Sequence, residues 1–237
     1  MKVEIWSDIA CPWCYIGKRR FESALEQFPE SGNIDIEWKS FQLAPDLKTD
    51  PMSNNLKYLS DKYGVSMDQA RDMTDRVSHI AATEGLEYDL DNSKKANTFN
   101  AHRMIHFAKK SGKQGEAKER LLKAYFIEGK NVDDVDTLIS LGEEIGLAAK
   151  ELSKILESSG LFSEEVKSDI AEARQLGIGG VPYFVIDRKY GISGAQEQDI
   201  FLQTLKKAYG EWVKENGPFA LETIQGKSCT PDGDCNI

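Results

Sequence analysis

Two cysteines at positions 11 and 14, in the run Cys11-Pro12-Trp13-Cys14, stand between a short apolar stretch and a helical one. The preceding run, Val3-Glu4-Ile5-Trp6, has strand character. From residue 14 to 28 apolar side chains return at helical spacing, with Tyr15, Phe21, Leu25 and Phe28 among them, and the pattern stops near Pro29 and Gly32. Thiols two residues apart at a helix start can close a small disulfide across the first turn, a geometry suited to reversible thiol–disulfide exchange. Free N–H groups and the helix dipole favour negative charge there, so the position predicts a lowered pKa for Cys11 and a thiolate nucleophile. Pro12 fits the first helical position, where its missing N–H costs nothing. Cys14, one turn deeper, is placed to resolve a mixed disulfide. The competing reading is half of a zinc site. The other two cysteines, Cys229 and Cys235, lie far away with five residues between them, a loose spacing for a zinc knuckle. The strand–CxxC–helix order favours redox chemistry.

Residues 34–41 alternate apolar and polar side chains as a half-buried strand, which completes a βαβ unit. Strand signals then vanish. Helices are expected at about 53–63, from Ser66 to about Gly85, and at about 93–111, 114–128, 134–145, 148–158 and 163–176. Ser66 and Gln69 form a capping box for the second of these. Strand character returns at Val181–Ile186, turns at Asp187-Arg188-Lys189, and resumes at Tyr190–Ser193. A last helix is expected at about 197–215. The order βαβ, helical block, ββα is that of an α/β thioredoxin-like sheet split by a large all-helical insertion. The expected division is residues 1–45 with 178–220 for the sheet domain, 46–177 for the insertion and 221–237 for a tail.

With 237 residues and 40% hydrophobic side chains, the chain has the composition of a soluble globular protein. A net charge of −9 argues against general nucleic-acid binding, which needs a basic face. No run of about twenty apolar residues suggests a membrane span. Glu4 and Asp8 interrupt the first apolar stretch, which is too short for a signal peptide, so the expected location is cytoplasmic. Structural disulfides are rare there, which again makes the CxxC a catalytic or sensing pair.

Three segments carry a resemblance: Ser7-Asp8-Ile9-Ala10-Cys11-Pro12-Trp13-Cys14-Tyr15-Ile16-Gly17, Asn97-Thr98-Phe99-Asn100-Ala101-His102-Arg103 and Gly177-Ile178-Gly179-Gly180-Val181-Pro182-Tyr183-Phe184. Over nearly its whole length the chain resembles the DsbA-like thiol oxidoreductases of the thioredoxin superfamily, in their FrnE-like branch. The resemblance implies that Val181–Pro182 is cis and faces the cysteines. A cis proline presents no N–H to the site, and the backbone of Val181 is then open to a substrate segment. The alternative is a trans proline at a strand start.

The same branch holds hydroxychromene-carboxylate isomerases and kappa-class glutathione transferases, which are similar at Asn97, Thr98 and Arg103. In them serine usually replaces Cys11 and the second cysteine is absent, so both cysteines here favour disulfide chemistry. Glutathione is a candidate co-substrate, near Pro182 and Ser193-Gly194. No other cofactor and no metal is expected. The expected partners are protein or small-molecule disulfides and thiols, with a cellular thiol system for regeneration.

Two departures stand out. Many thioredoxin-like proteins carry a buried acid six residues before the first cysteine, and here that position is Ile5. Asp8 and Lys39 are the nearest charged candidates for its proton-transfer role. Trp13 occupies the place where strongly oxidising members have a histidine, so no strong oxidant is inferred. His102 and His106, at i and i+4, share one helix face. They are a surface or packing pair, unless His102 reaches the cysteines from the insertion. Cys229 and Cys235 flank Pro231-Asp232-Gly233, a strong turn signal. They are a candidate second redox pair or two idle thiols. Trp6, Trp38, Trp212, Phe184 and Phe201 are expected in the core.

Overall fold

The computed structural model describes residues 1–158 and 160–216. Cys229 and Cys235 lie outside the described residues. The chain opens with β1 (Lys2–Ser7), α1 (Pro12–Glu26) and β2 (Asp35–Ser40), and closes with β5 (Tyr183–Ile186), β6 (Tyr190–Ser193) and α9 (Gln198–Asn216). These strands form one sheet in the order β2-β1-β5-β6, with β1 parallel to β2 and antiparallel to β5. The expected split thioredoxin-like sheet is therefore present.

Strand β1 runs through the middle of the sheet and is buried on both faces. Alternate side chains point to opposite sides of a strand. Val3 and Ile5 accordingly enter the main core, while Trp6 joins a smaller cluster with Ala173, Ile178 and Val185. On the main face Phe21 of α1, Phe184 of β5 and Phe201 of α9 meet ring to ring, with centroids 4.6–5.7 Å apart. Glu4, on the face of Trp6, is fully buried and forms an ion pair with Arg188. The expected core tryptophans divide: Trp6 and Trp38 are buried, whereas Trp212 is only partly covered.

Between the two halves lies a helical block. It contains α2 (Asn55–Tyr63), α3 (Met67–Thr83), α4 (Phe99–Lys109), α5 (Gln114–Phe126), α6 (Val135–Glu144), α7 (Ala149–Glu157) and α8 (Ser163–Gln175). Ser66 and Gln69 form the reciprocal capping box at the start of α3. A short ribbon, β3 (Asp50–Asn54) against β4 (Lys94–Lys95), accompanies the helices. Strands this short carry no readable alternation, so α2 and α4 begin two and six residues later than the pattern suggested.

The block is tied to the sheet by polar side chains. Asp169 of α8 accepts from the Ser40 backbone N–H at 2.8 Å and pairs with Lys39 at 3.0 Å and with His106 Nε2 at 3.1 Å. The Asp169 backbone carbonyl accepts from the Trp6 indole at 2.9 Å. Lys39 of β2 is thus committed to Asp169 and Glu172 of α8, and not to a role at the cysteines.

Candidate active site

The site forms where β1 ends and α1 begins. Cys11 is the N-cap of α1, in extended conformation (φ −98°, ψ 112°), and Pro12 occupies the first turn as expected. The Cys14 N–H donates to the Cys11 carbonyl at 3.0 Å. Both thiols are free and buried, Cys11 4% and Cys14 1% exposed, so Cys11 is the outer sulfur. Trp13 between them is 38% exposed. The Tyr88 hydroxyl donates to the Pro12 carbonyl at 2.7 Å, and its ring stacks against Phe126 and Tyr15, which anchors the first turn of α1 to the helical block.

Facing the cysteines is the segment before β5. The Val181–Pro182 peptide bond is cis. Cys11 Sγ lies 3.4 Å from the Val181 carbonyl oxygen. Gly17 on α1 allows this approach, because a Cβ there would stand 2.9 Å from Pro182 Cγ.

Beneath the thiols lies a residue that sequence reasoning missed. Lys118, on α5, is 1% exposed and donates from Nζ to the Ser7 carbonyl at 3.3 Å. Burial pulls its pKa down to about 8, against the attraction of Cys14 and Asp8. Ser7 Oγ is the one buried side-chain oxygen or nitrogen without a hydrogen-bond partner among the described residues. It lies against Cys14, where a thiolate sulfur would accept from it.

Burial alone would raise the Cys14 pKa, but the Cys11 thiol donating to it, the Lys118 ammonium and the Ser7 hydroxyl bring it below its ordinary value. The same thiol–thiolate hydrogen bond, and then burial, push Cys11 well above its ordinary value. This reverses the expectation that helix α1 lowers Cys11. Two adjacent thiols share one negative charge, and the buried Lys118 ammonium attracts it on either sulfur.

Asp8 and His102 form a second buried pair, with His102 Nε2 3.3 Å from Asp8 Oδ1 and both residues 1% exposed. Burial would raise the Asp8 pKa, but His102, the Leu43 N–H at 2.8 Å and Thr98 hold it below its ordinary value. Burial lowers His102, so the pair is a carboxylate facing a neutral imidazole. His102 therefore reaches the neighbourhood of the cysteines, through Asp8. Neither it nor His106 is a surface residue.

The Asn97–Arg103 segment is built around the same corner. Asn97 Nδ2 donates to the Pro45 and Leu47 carbonyls at 3.0 and 2.9 Å, which fixes the loop after β2. Arg103 points the other way and donates to the Leu161 carbonyl at 2.8 Å.

A four-stranded sheet split by helices, with a CxxC at a helix start opposite a cis proline, defines a thioredoxin-fold dithiol protein. The DSBA-like thioredoxin domain model matches residues 2–206, and the chain belongs to that family. The chain is 39% identical to a probable DsbA oxidoreductase from Streptomyces coelicolor, with a TM-score of 0.84 over 100% of this chain and 99% of that one. It is 28% identical to the Bacillus subtilis protein YwbO over 203 residues, 84% of this chain and 92% of the relative. The cytosolic disulfide reductase DsbM of Pseudomonas aeruginosa shares the fold at 15% identity and a TM-score of 0.64, over 89% and 100% of the two chains. Family and neighbours together support thiol–disulfide oxidoreductase chemistry and are consistent with the FrnE-like branch. No helix among the described residues is long and apolar enough to cross a membrane.

Proposed function

We propose that the protein is a cytoplasmic thiol–disulfide oxidoreductase of the disulfide reductase or isomerase type. Cys11 is the nucleophile, Cys14 the resolving thiol, and Val181–Pro182 the loop that receives substrate. The observation that carries this reading is the placement of two free thiols, Cys11 facing the Val181 carbonyl and the cavity beside the loop, and Cys14 buried behind it.

As a substrate disulfide arrives, the Cys11 proton passes along the thiol–thiolate hydrogen bond to Cys14. The Cys11 thiolate attacks one substrate sulfur, forming a mixed disulfide and releasing the other half as a thiolate. That thiolate takes up the proton from Cys14. The Cys14 thiolate then attacks Cys11 Sγ and releases the second half. Two electrons leave the dithiol, which becomes the Cys11–Cys14 disulfide, and the substrate becomes two thiols. A cellular thiol such as glutathione restores the dithiol, and no other cofactor is required. The DsbM structure described as containing glutathione supports that choice.

The insertion is read as residues 46–177, returning to the sheet domain at residue 178. The Cys229–Cys235 pair is read as a second redox couple that exchanges with Cys11–Cys14.

Turnover of a disulfide substrate with glutathione as reductant tests the reading. Cys11→Ser is expected to abolish it, and Cys14→Ser to halt it at a mixed disulfide with Cys11. Full turnover by Cys14→Ser, with glutathione bound but not exchanged, would favour a glutathione-dependent transferase or isomerase instead.

A further inference from the structure

Beside Cys11 the helical block and the loop after β2 enclose a cavity of about 380 Å³. Cys11, Trp13 and Val181 border it. Its walls are mainly apolar, with Leu47, Tyr58, Met73, Val77, Leu90 and Phe126 among them. The volume falls in the range of small-molecule sites, which run from about 300 to 1,000 Å³.

Two cations line this cavity. Lys62 and Lys95 each place Nζ 5.5 Å from the Tyr58 ring centroid. Neither forms an ion pair with a carboxylate among the described residues, in a chain of net charge −9. The third charged group, Asp8, is already engaged by His102 and the Leu43 N–H.

We propose that the cavity binds the aromatic or bulky apolar half of a low-molecular-weight disulfide that carries a carboxylate. Lys62 and Lys95 hold the carboxylate over Tyr58, the apolar walls hold the body, and the sulfur lies at Cys11. This rests on the oxidoreductase reading of Cys11 and names the substrate class for it. Cys11 thiolate forms a bond to the sulfur of the bound half, the substrate S–S bond breaks, and the other half departs with the electron pair as a thiolate.

Rapid mixing tests this in a Cys14→Ser background, where only the first exchange is seen. Two aromatic disulfide probes are compared, the anionic dithiobis(nitrobenzoate) and the neutral dithiodipyridine. Changing both lysines, in Lys62→Gln/Lys95→Gln, is expected to lower the anionic-to-neutral ratio of rate constants about fivefold, as expected for two partly exposed ion pairs. Added salt should lower the ratio in the parent and much less in the variant. Val77→Trp, which fills the cavity, should slow both aromatic probes relative to oxidised glutathione. An unchanged ratio, with no slowing by Val77→Trp, overturns the site while a reactive Cys11 leaves the oxidoreductase reading intact. If Cys11 reacts with none of the reagents faster than a free thiol, that reading fails and the substrate class with it.

Discussion

Lys118 Nζ lies 3.3 Å from the carbonyl oxygen of Ser7, the last residue of the central strand, four residues ahead of Cys11. An ammonium from the helical block is thereby buried under the dithiol. The chain has Ile5 where many thioredoxin-like proteins bury an acid, and the charged group beneath the thiols comes from α5 with the opposite sign. A buried cation stabilises a thiolate and so favours the reduced form.

Replacing Lys118 by Met should therefore make the dithiol more reducing. A tenfold loss of thiolate stabilisation corresponds to about 30 mV in a two-electron couple. The midpoint should move to more negative values by about that amount in glutathione redox buffers near pH 7. Thermal stability of the oxidised form, in which the ammonium has no thiolate partner, should be unchanged or raised. A midpoint that stays put while the oxidised form loses stability would assign Lys118 a packing role only.

Asp8 acts on the same pair with the opposite sign. Its carboxylate lies near enough to Cys11 to disfavour the thiolate. Asp8→Asn removes that repulsion, and the Cys11 pKa should fall. Iodoacetamide alkylation against pH in a Cys14→Ser background measures it. A pKa that rises, or does not move, contradicts this electrostatic role.

Glu119 bridges α5 to α1, accepting from Tyr15 Oη at 2.5 Å, Lys18 Nζ at 2.6 Å and Arg19 Nη1 at 3.0 Å. Burial would raise its pKa, but the Arg19 and Lys18 partners bring it from 4.5 to about 2. A carboxylate whose folded pKa is depressed adds stability above its unfolded pKa and loses it as the pH falls through the folded one. Its contribution should be complete above about pH 4.5 and vanish toward about pH 2. Glu119→Gln should cost about 2 kcal/mol near neutrality. Its urea midpoint should vary less than the parent's across that acid window.

Phe184 is fully buried between Phe21 and Phe201, on the strand that follows the proline loop. Phe184→Ala should destabilise the fold by about 3–5 kcal/mol through lost burial and the cavity left behind. Denaturant unfolding with an unchanged slope measures it. A loss under about 1 kcal/mol would mean that the sheet core collapses around the gap.

The parts of the site legible in the sequence are those written locally. A CxxC at a strand–helix junction, a proline before an apolar strand and a glycine-punctuated helical block each lie within a few consecutive residues. Lys118 is not legible in that way. In the run Ala117-Lys118-Glu119-Arg120 it resembles any lysine of an amphipathic helix, and only the docking of α5 on β2 puts it under Ser7. The Asp8–His102 pair spans 94 positions, so its partners are set by tertiary packing. Lys39 misled because proximity in sequence to the sheet suggested proximity to the thiols, whereas the pleat turns it toward α8. Trp212 followed helical spacing, but near the end of α9 its ring stacks on Tyr209 and meets the core only in part.

In the proposed function Cys11 and Cys14 form a two-electron redox couple. Equilibration in graded glutathione buffers, followed by alkylation and mass spectrometry of each cysteine, tests it most directly. Cys11 and Cys14 should lose alkylation together, with one midpoint and the slope of a two-electron exchange. Stable glutathionylation of Cys11 with Cys14 still free across the series would contradict it.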